Sequence, residues 1–475
     1  EMCIRDRYLC HNGEINTIRG NVNSVKAREG LFSSHVFKED LKKVIPLIPK
    51  ESSDSAMFDN LLEFLYLNGR TLEETIMMMI PEPWMKNEQM DADLKAFYEF
   101  HSTFLEPWDG PASIIFTDGS KLGASLDRNG LRPSRYYITK DDYLVLFSET
   151  GSLPIDEGNI LEKRRLEPGK ILLVDTEAGR IISNDEVKMI YSKKNPYKKW
   201  IKRIIRLEDL KPGTEEEFTG DIHFLQHANG YTYDELMEGI LPLAQTGAEK
   251  LVAMGSDLPL AVLMEQEFSL YTFFKQRFAQ VTNPPIDAIR EDIVMSSAVY
   301  LGREGNLLNP TEKNASRVRL LTPILTKEEF YKIKGLNQIQ DFKVETVSIC
   351  YDHALETMEE ALERIFKDCE ARINQGATVL ILSDRDPGKI AIPSLLATSG
   401  VHQYLTRVSK RTHISIVLES AEPREIHHFA CLIGYGVTAI YPYLVYETIG
   451  EYQNRGYLSI SKEQAIENYI HGVTK

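Results

Sequence analysis

The second half of the chain alternates apolar strand-like runs with helix-like stretches, and this pattern limits the possible folds more than any other feature. The runs are continuously apolar, which is typical of strands buried on both faces of a sheet. Strand–helix–strand order favours crossover connections and parallel pairing. We therefore predict an α/β domain with a mostly parallel sheet. The predicted strands lie in ETVSICYD (345–352), ATVLILSDRD (377–386), ISIVLESAEPRE (414–425) and LIGYGVTAIYPY (432–443), and the predicted helices are 233–244, 258–276, 354–374 and 392–399.

The first part of the chain, 8–189, has a different texture. A Ser/Asp cluster marks the start of one helix, and Thr71 with Glu74 forms a capping box at the start of the next. After Gly110, short β-rich runs alternate with Asp-Gly, Asn-Gly and Asp-Asp turns, which is the pattern of successive hairpins. Helices outside an antiparallel sheet predict a layered α+β domain. The predicted helices are 51–68, 72–80 and 91–104.

Composition excludes several classes of protein. A chain of 475 residues has room for two to four domains, at roughly 100–200 residues per domain. The formal net charge of -15 argues against nucleic-acid binding, which needs a basic face. No apolar run approaches the ~18–20 residues that span a bilayer. We therefore expect a cytoplasmic protein, or a plastid protein if the source is a photosynthetic eukaryote, without nucleic-acid or membrane partners.

The cysteines are sparse and scattered. No two of them form a CxxC pair, so the sequence argues against a disulfide framework and against a zinc or iron–sulfur site within this chain. The first seven residues, EMCIRDR, are charged and patternless, and we expect them to lie outside the fold. The cysteines are Cys3, Cys10, Cys350, Cys369 and Cys431.

The stretch YLCHNGEINTIRGN, 8–21, places four turn-forming or polar residues directly after a strand-like run. The amide of Asn12 and an approachable backbone N–H at Gly13 are the donors that an oxyanion site requires. The same Asn-Gly pair is also a common turn, and that interpretation stays open on these residues alone. A Cys10–His11 dyad is disfavoured because neighbouring residues on a strand point to opposite faces.

Asp54 stands in the Ser/Asp cluster before a predicted amphipathic helix. It suits a helix cap, and it equally suits a carboxylate aimed at a substrate ammonium group. Other polar clusters have simpler structural interpretations. Residues 383–386 suit a strand-end loop, and 128–130 suit a hairpin turn. The adjacent histidines 427–428 point apart, and 193–206 suit a solvated linker or an inter-domain contact.

Several long motifs resemble the large subunit of glutamate synthase, and they occur in the same order along nearly the whole chain. The first group resembles its class II, N-terminal-nucleophile glutamine amidotransferase domain, and the second group resembles its central domain. The first group is HNGEINTIRGN, ESSDSAMFDNLLEFL, EPWDGPASIIFTDG and LDRNGLRPSRYYIT; the second is LPLAQTGAEKLVAMGSDLPLAVL, FFKQRFAQVTNPPIDAIRED, IPSLLATSGVHQYL and ESAEPREIHHFACLIGYGVTAIYPYLVYE.

The resemblance implies a fold and a domain order. We expect a four-layer αββα sandwich of the N-terminal-nucleophile hydrolase type, incomplete here, followed by the α/β domain. The expected divisions are a foreign-looking or disordered start at 1–7, a partial amidotransferase domain at 8–192, a linker at 193–220 and the central domain at 221–475.

The resemblance also implies a reaction. In the glutamate synthase family, the amidotransferase domain hydrolyses glutamine with an N-terminal cysteine whose α-amino group serves as base. The ammonia passes through a tunnel to a flavin domain, where 2-oxoglutarate and reduced FMN yield a second glutamate. By resemblance, Asn12 and Gly13 form the oxyanion hole and Asp54 binds the glutamine α-amino group. A small reductase subunit or ferredoxin is the expected electron donor.

The chain departs from the family pattern at both ends. The nucleophilic cysteine of the family precedes the HNGE segment, and no cysteine of this sequence takes its place. FMN and an iron–sulfur cluster are expected in a downstream domain, so we expect no cofactor and no glutaminase activity in these residues alone. One alternative is a non-catalytic short form that acts as a binding or assembly module. Another amidotransferase, with a sugar-phosphate or nucleotide acceptor, is disfavoured by the second half.

Overall fold

The computed structural model describes residues 6–211, 213–251, 255–256, 258–265, 268–278 and 286–475. Its strands are β1 (Leu9–Gly13), β2 (Ala112–Thr117), β3 (Lys121–Leu126), β4 (Arg135–Thr139), β5 (Leu144–Phe147), β6 (Ile160–Arg165), β7 (Ile171–Asp175), β8 (Arg180–Ile182), β9 (Ile205–Arg206), β10 (Val299–Leu301), β11 (Val318–Leu320), β12 (Val344–Ser348), β13 (Cys350–Tyr351), β14 (Val379–Ser383), β15 (Ile390–Ala391), β16 (Ser415–Glu419) and β17 (Ala439–Tyr441). Its α-helices are α1 (Ile18–Arg28), α2 (Asp54–Leu67), α3 (Leu72–Met79), α4 (Ala92–Ser102), α5 (Asn184–Ser192), α6 (Tyr197–Trp200), α7 (Ile222–Ala228), α8 (Leu241–Thr246), α9 (Ala288–Val294), α10 (Lys327–Lys334), α11 (Met358–Asn374), α12 (Ser394–Arg407), α13 (Ile426–Gly434), α14 (Tyr443–Asn454) and α15 (Lys462–Thr474). None of the helices described here is long and apolar enough to cross a bilayer.

The described residues divide into two compact units. The first unit contains 6–204, 286–296 and 304–316, so two segments from the second half of the sequence belong to it. The second unit contains the remaining described residues. The domain boundaries given above, at 192 and 221, stay a prediction.

The first unit contains two antiparallel sheets. One has the strand order β1-β2-β3-β7-β8, and the other has the order β5-β4-β6. The predicted hairpins are confirmed at two turns: Asp118-Gly119 joins β2 to β3, and Asp141-Asp142 joins β4 to β5. Gly119 and Asp142 both have positive φ, as such turns require. The four-layer arrangement of sheets and helices stays a prediction.

Helix α2 buries the face that its sequence spacing predicts. Phe58, Leu61, Leu62 and Leu65 are all at most 1% exposed. The Phe58 ring packs edge-on against Trp108, with the ring centroids 5.3 Å apart. This apolar face fixes α2 in the core of the first unit, so the residues at its N-terminus are held in one place.

The capping box predicted for α3 is only half formed. The Thr71 hydroxyl accepts a hydrogen bond from the Glu74 N–H at 3.3 Å, as predicted. The Glu74 carboxylate instead pairs with Arg70 at 2.9 Å and with Lys194 at 2.7 Å. Because Glu74 is 1% exposed, its charge is better satisfied by these two cations than by a backbone amide.

The prediction that 128–130 form a hairpin turn is wrong. Strand β3 pairs with β2 and β7, whereas the next strand, β4, belongs to the other sheet. The loop is organised by the Asp127 carboxylate, whose Oδ1 accepts from the Asn129 N–H at 2.9 Å and the Leu131 N–H at 3.2 Å. A side chain that bonds the following backbone amides makes a turn without a second strand beside it.

The second unit contains the predicted parallel sheet. Four parallel strands lie in the order β12-β14-β16-β17, and helices α11, α12 and α13 connect them. Every residue of β14 and β16 is buried, which accounts for their continuously apolar sequences. This confirms the α/β prediction for the second half.

Helix boundaries in the second unit differ from the predicted ones. Helix α11 begins at Met358 instead of 354, because Thr357 and Glu360 form a complete capping box. The predicted helix 233–244 is a π-helical segment, Glu235–Ile240, followed by α8. The helix predicted at 258–276 lies partly outside the described residues, and its described part forms two short 3₁₀ helices, Ala261–Leu263 and Leu270–Phe274. A single helix there is therefore wrong.

Candidate functional site

The candidate oxyanion residues lie at the end of an edge strand. Strand β1 pairs with β2 in the register Asn12 to Ser113 and Gly13 to Ala112, and it pairs on one side only within the described residues. The Thr117 N–H donates to the Tyr8 carbonyl at 2.9 Å. Because ladder bonds alternate along an antiparallel pair, the Gly13 N–H points away from β2 towards the open edge.

The backbone at Gly13 has no room for a side chain. Gly13 has φ of +146°, and a Cβ built there would lie 1.7 Å from the Pro111 carbonyl oxygen. Gly110, on the facing loop, has φ of +154°, and its Cβ would lie 2.1 Å from the Glu14 carbonyl oxygen. The Glu14 N–H donates to the Pro111 carbonyl at 3.0 Å. Two glycines therefore let the two loops touch and fix the direction of the Gly13 N–H.

Asp54 is held against the segment that follows Gly13. Its Oδ2 accepts a hydrogen bond from the Ile15 N–H at 3.1 Å, and its Oδ1 accepts from the Ser55 N–H at 2.7 Å. The helix cap is Ser53, whose hydroxyl accepts from the Ala56 N–H at 3.2 Å, so the structure does not support the alternative in which Asp54 caps α2. The Asp54 side chain is 16% exposed.

His11 links β1 to the start of α2. Its side chain is 3% exposed, with Nδ1 3.0 Å from the Ser55 hydroxyl and 3.7 Å from Asp54 Oδ2. Burial lowers the pKa of His11 below its ordinary value; Arg132 lowers it further, and Asp54 and Glu14 act in the opposite direction. His11 is therefore neutral at neutral pH. Cys10 is exposed on the other face of the strand, as the alternation of side chains predicts.

Arg132 reaches the candidate site from the loop after β3, and sequence reasoning missed it. Its Nη2 donates a hydrogen bond to Asn12 Oδ1. The quoted motif LDRNGLRPSRYYIT contains Arg132, but 120 positions separate it from Asn12, and no local pattern relates them.

Residues 383–386 lie at the carboxyl end of β14, where open α/β sheets commonly bind ligands. Here the side chains bond one another. Glu419 accepts from the Ser383 hydroxyl at 2.8 Å and pairs with Arg385 at 3.2 Å, and Asp384 accepts from the Ser420 hydroxyl at 2.7 Å. This network joins the carboxyl ends of β14 and β16.

The adjacent histidines make separate contacts. His427 Nε2 lies 2.9 Å from the Tyr271 carbonyl oxygen, and His428 Nδ1 accepts from the Arg424 N–H at 3.3 Å. His427 Nε2 also lies 3.6 Å from Cys431 Sγ, a contact that the sequence did not indicate. Burial raises the pKa of the Cys431 thiol, so it is not an activated nucleophile.

The basic segment 193–206 is folded at its start. Tyr197 is 2% exposed, Lys194 pairs with Glu74 at 2.7 Å, and Lys198 pairs with Asp93 at 2.9 Å. These contacts lie within the first unit and account for part of the positive charge.

No group of three or more His, Cys, Asp or Glu side chains that suits a metal ion occurs in the ranges that the structure describes. Cys350 and Cys369 are buried, and burial raises the pKa of their thiols to about 11 and about 12.

Two family models match the chain, one in each half of the sequence. The sequence model of the class II glutamine amidotransferases matches residues 4–200, and that of the glutamate synthase central domain matches residues 225–475. The chain is 48% identical over 473 residues to the glutamate synthase [NADPH] large chain of Bacillus subtilis, covering 99% of this chain and 31% of that protein. It is 42% identical over 493 residues to the glutamate synthase [NADH] of Saccharomyces cerevisiae, covering 98% and 23%.

A ferredoxin-dependent glutamate synthase 2 of Synechocystis is 42% identical over 460 residues, covering 94% of this chain and 29% of that protein. The chain thus spans less than a third of the length of these curated relatives, whose names specify NADPH, NADH and ferredoxin. With one family model matching more than half of its residues, the chain belongs to the glutamate synthase family.

Proposed function

We propose that this chain is the part of a glutamate synthase large chain that builds the oxyanion and amine subsites of the glutamine-hydrolysing centre. One observation carries the proposal: the Ile15 N–H donates to Asp54 Oδ2 at 3.1 Å. This bond holds the carboxylate suited to a substrate ammonium beside the strand end that carries Asn12 and Gly13.

The oxyanion subsite follows from the direction of its donors. Attack of a thiolate on the glutamine carboxamide moves negative charge onto the carbonyl oxygen. The Gly13 N–H at the open edge of β1 and the Asn12 side-chain NH₂ donate hydrogen bonds to that oxygen. The tetrahedral intermediate then expels ammonia, and water hydrolyses the thioester to release glutamate and the thiol.

Asp54 serves the other end of the substrate. Its carboxylate pairs with the glutamine α-ammonium, a charge-assisted contact that fixes where the carboxamide lies. The Ser55 amide and hydroxyl both donate to Oδ1, at 2.7 and 3.4 Å, and the Ile15 amide donates to Oδ2 at 3.1 Å, so the proposal assigns the second lone pair of Oδ2 to the substrate ammonium. Neutral His11, bonded to Ser55, brings no positive charge to compete with the ammonium.

The proposal places the nucleophile in the part of the full-length protein that this sequence does not include. Cys350, Cys369 and Cys431 all have thiols whose pKa is raised by burial, which suits an inert thiol. Cys10 points away from the His11 face of β1. We therefore expect these 475 residues alone to release no ammonia from glutamine.

The later steps of the reaction are also part of the proposal. Ammonia passes to 2-oxoglutarate at a site that holds FMN and an iron–sulfur cluster in another domain, and a reductase subunit or ferredoxin supplies the electrons. In this proposal the central domain, 221–475, helps to wall the ammonia path and joins the two active domains. We expect the enzyme in the cytoplasm, or in the plastid of a photosynthetic eukaryote.

The experiment compares Asp54→Asn with Asp93→Asn in the full-length protein. Both aspartates lie in the first turn of a helix, so the two changes alter the helix dipole in the same way. We expect Asp54→Asn to raise KM for glutamine at least about tenfold through the lost ion pair. Asp93→Asn leaves KM unchanged. Asn12→Ala lowers kcat by about 10²–10³.

Equal KM values for the two aspartate variants would contradict the amine subsite. Full kcat in Asn12→Ala would contradict the oxyanion subsite. If the wild-type full-length protein released no ammonia from glutamine, hydrolysis itself would be excluded, and the non-catalytic binding-module alternative would replace it.

A further inference from the structure

The Asn12 carboxamide has two ends that differ in function. Its NH₂ donates hydrogen bonds, and its carbonyl oxygen only accepts them. An exposed Asn side chain can turn either end towards a substrate, and a carbonyl turned inward would repel a developing oxyanion. Something must therefore select the orientation of this exposed side chain if it is to serve as a donor.

Arg132 makes that selection. Its guanidinium carries only donors, so the end of the carboxamide that faces it must be Oδ1. The structure has Arg132 Nη2 donating to Asn12 Oδ1. The NH₂ on the other side of the carboxamide is then directed away from Arg132.

A buried carboxylate fixes the loop that carries Arg132. Asp127 is 1% exposed, and its oxygens accept hydrogen bonds from the Leu131 N–H at 3.1 and 3.2 Å. Its Oδ2 also accepts from the Ala112 N–H at 3.2 Å, and Ala112 is the register partner of Gly13. The Asp127 side chain therefore holds two parts of the site in place. It fixes the start of the loop that carries Arg132, and it fixes β2 at Ala112, opposite Gly13.

We propose that Arg132 is a positioning residue, which holds the Asn12 carboxamide with its NH₂ directed at the oxyanion. The inference rests on the function proposed above. Arg132 acts through Asn12, so its removal lowers the rate of the chemical step and leaves the binding of the glutamine ammonium and carboxylate groups unchanged.

The test is a double-mutant cycle in the full-length protein, with ammonia release from glutamine as the readout. Arg132→Met is expected to lower kcat by about 10–100-fold with little change in KM, because one oxyanion donor is mispositioned. In the Asn12→Ala background, the same substitution is expected to lower kcat by less than about twofold, because the group it positions is gone. Arg132→Lys retains a donor and is expected to lose less. Arg135→Met, at an exposed arginine three residues along, is the matched control.

Multiplicative losses in the double variant would overturn the proposal, since Arg132 would then act independently of Asn12. An effect on KM alone, or none, would also overturn it. Tryptophan fluorescence checks that each variant is folded; if Arg132→Met is not, Arg132→Leu, which also lacks a donor, replaces it in the cycle. Absence of activity in the wild-type protein would instead refute the proposed function, so the two failures are distinguishable.

Discussion

Gly13→Ala tests the claim that the strand end is shaped by close backbone contact. A Cβ at Gly13 would lie 1.7 Å from the Pro111 carbonyl oxygen, whereas real Cβ contacts are at least 3.0 Å. The added methyl group is not on a flexible side chain and meets backbone, so one of the two loops must move by roughly 1 Å or more. The movement breaks the hydrogen bond from the Glu14 N–H to Pro111.

The magnitude follows from three contributions. A non-glycine residue at φ of +146° costs about 1–3 kcal/mol. The lost hydrogen bond costs about 1 kcal/mol, and the overpacked contact about 1–3 kcal/mol. We expect a destabilisation of about 3–7 kcal/mol. Gly69→Ala, at φ of +94° with nothing within 4 Å, isolates the backbone contribution and is expected to cost about 1–2 kcal/mol.

The assay is urea unfolding followed by tryptophan fluorescence. The assay uses the 475-residue chain. Its three tryptophans, Trp84, Trp108 and Trp200, all lie in the first unit, so the fluorescence signal reports on the unfolding of that unit. Gly20→Ala, at an exposed position of helix α1 with open space around it, is expected to stabilise by about 0.5–1 kcal/mol and controls for the methyl group itself. Equal unfolding free energies for Gly13→Ala and Gly69→Ala would refute the close contact.

Two further predictions concern the helix cap and the dependence of stability on pH. Ser53→Ala is expected to destabilise the first unit by about 1 kcal/mol through loss of the cap, measured by the same fluorescence assay, whereas Ser52→Ala, one residue outside the cap, changes it little. Burial, with Arg411 Nε 2.9 Å from Nδ1, lowers the pKa of His402 to about 4. The unfolded chain therefore binds this proton first, and the free energy of unfolding falls as the pH drops from about 6.5 to about 4, by at most about 3 kcal/mol from this residue. His402→Gln is expected to remove that part of the pH dependence in urea unfolding followed by circular dichroism at pH 7.5 and 4.5; an unchanged pH dependence would contradict it.

The sequence predicted the elements whose pattern is local. The continuous apolar runs of β14 and β16 identified a parallel sheet, because strands buried on both faces have no polar alternation. The spacing of Phe58, Leu61 and Leu65 identified the buried face of α2 for the same kind of reason. In these cases burial alone determines the residue types.

Predictions from the sequence were wrong where a side chain or a turn has several possible partners in the fold. An Asn-Gly turn was interpreted as a hairpin because the turn residues carry no information about which strand comes next to β3. Glu74 does not complete the predicted capping box because its carboxylate pairs with Arg70 and Lys194 instead. Nothing in the composition of 286–296 or 304–316 indicated that these segments pack with the first unit.

The candidate site was predicted in part. Asn12, Gly13 and Asp54 were identified before the structure by their chemistry and by resemblance, and the structure places Asp54 beside the segment that follows Gly13. The contact from Arg132 was missed because it joins two loops that are distant in sequence. Their roles in binding and catalysis stay predictions.

The most direct test of the central claim is a structure of the full-length protein with an aldehyde analogue of glutamine, which forms a tetrahedral adduct with the nucleophilic thiol. We expect the adduct oxygen within hydrogen-bonding distance of Asn12 Nδ2 and the Gly13 N–H, and the α-ammonium within about 4 Å of the Asp54 carboxylate. An adduct whose oxygen and ammonium contact neither the end of β1 nor Asp54 would contradict the account.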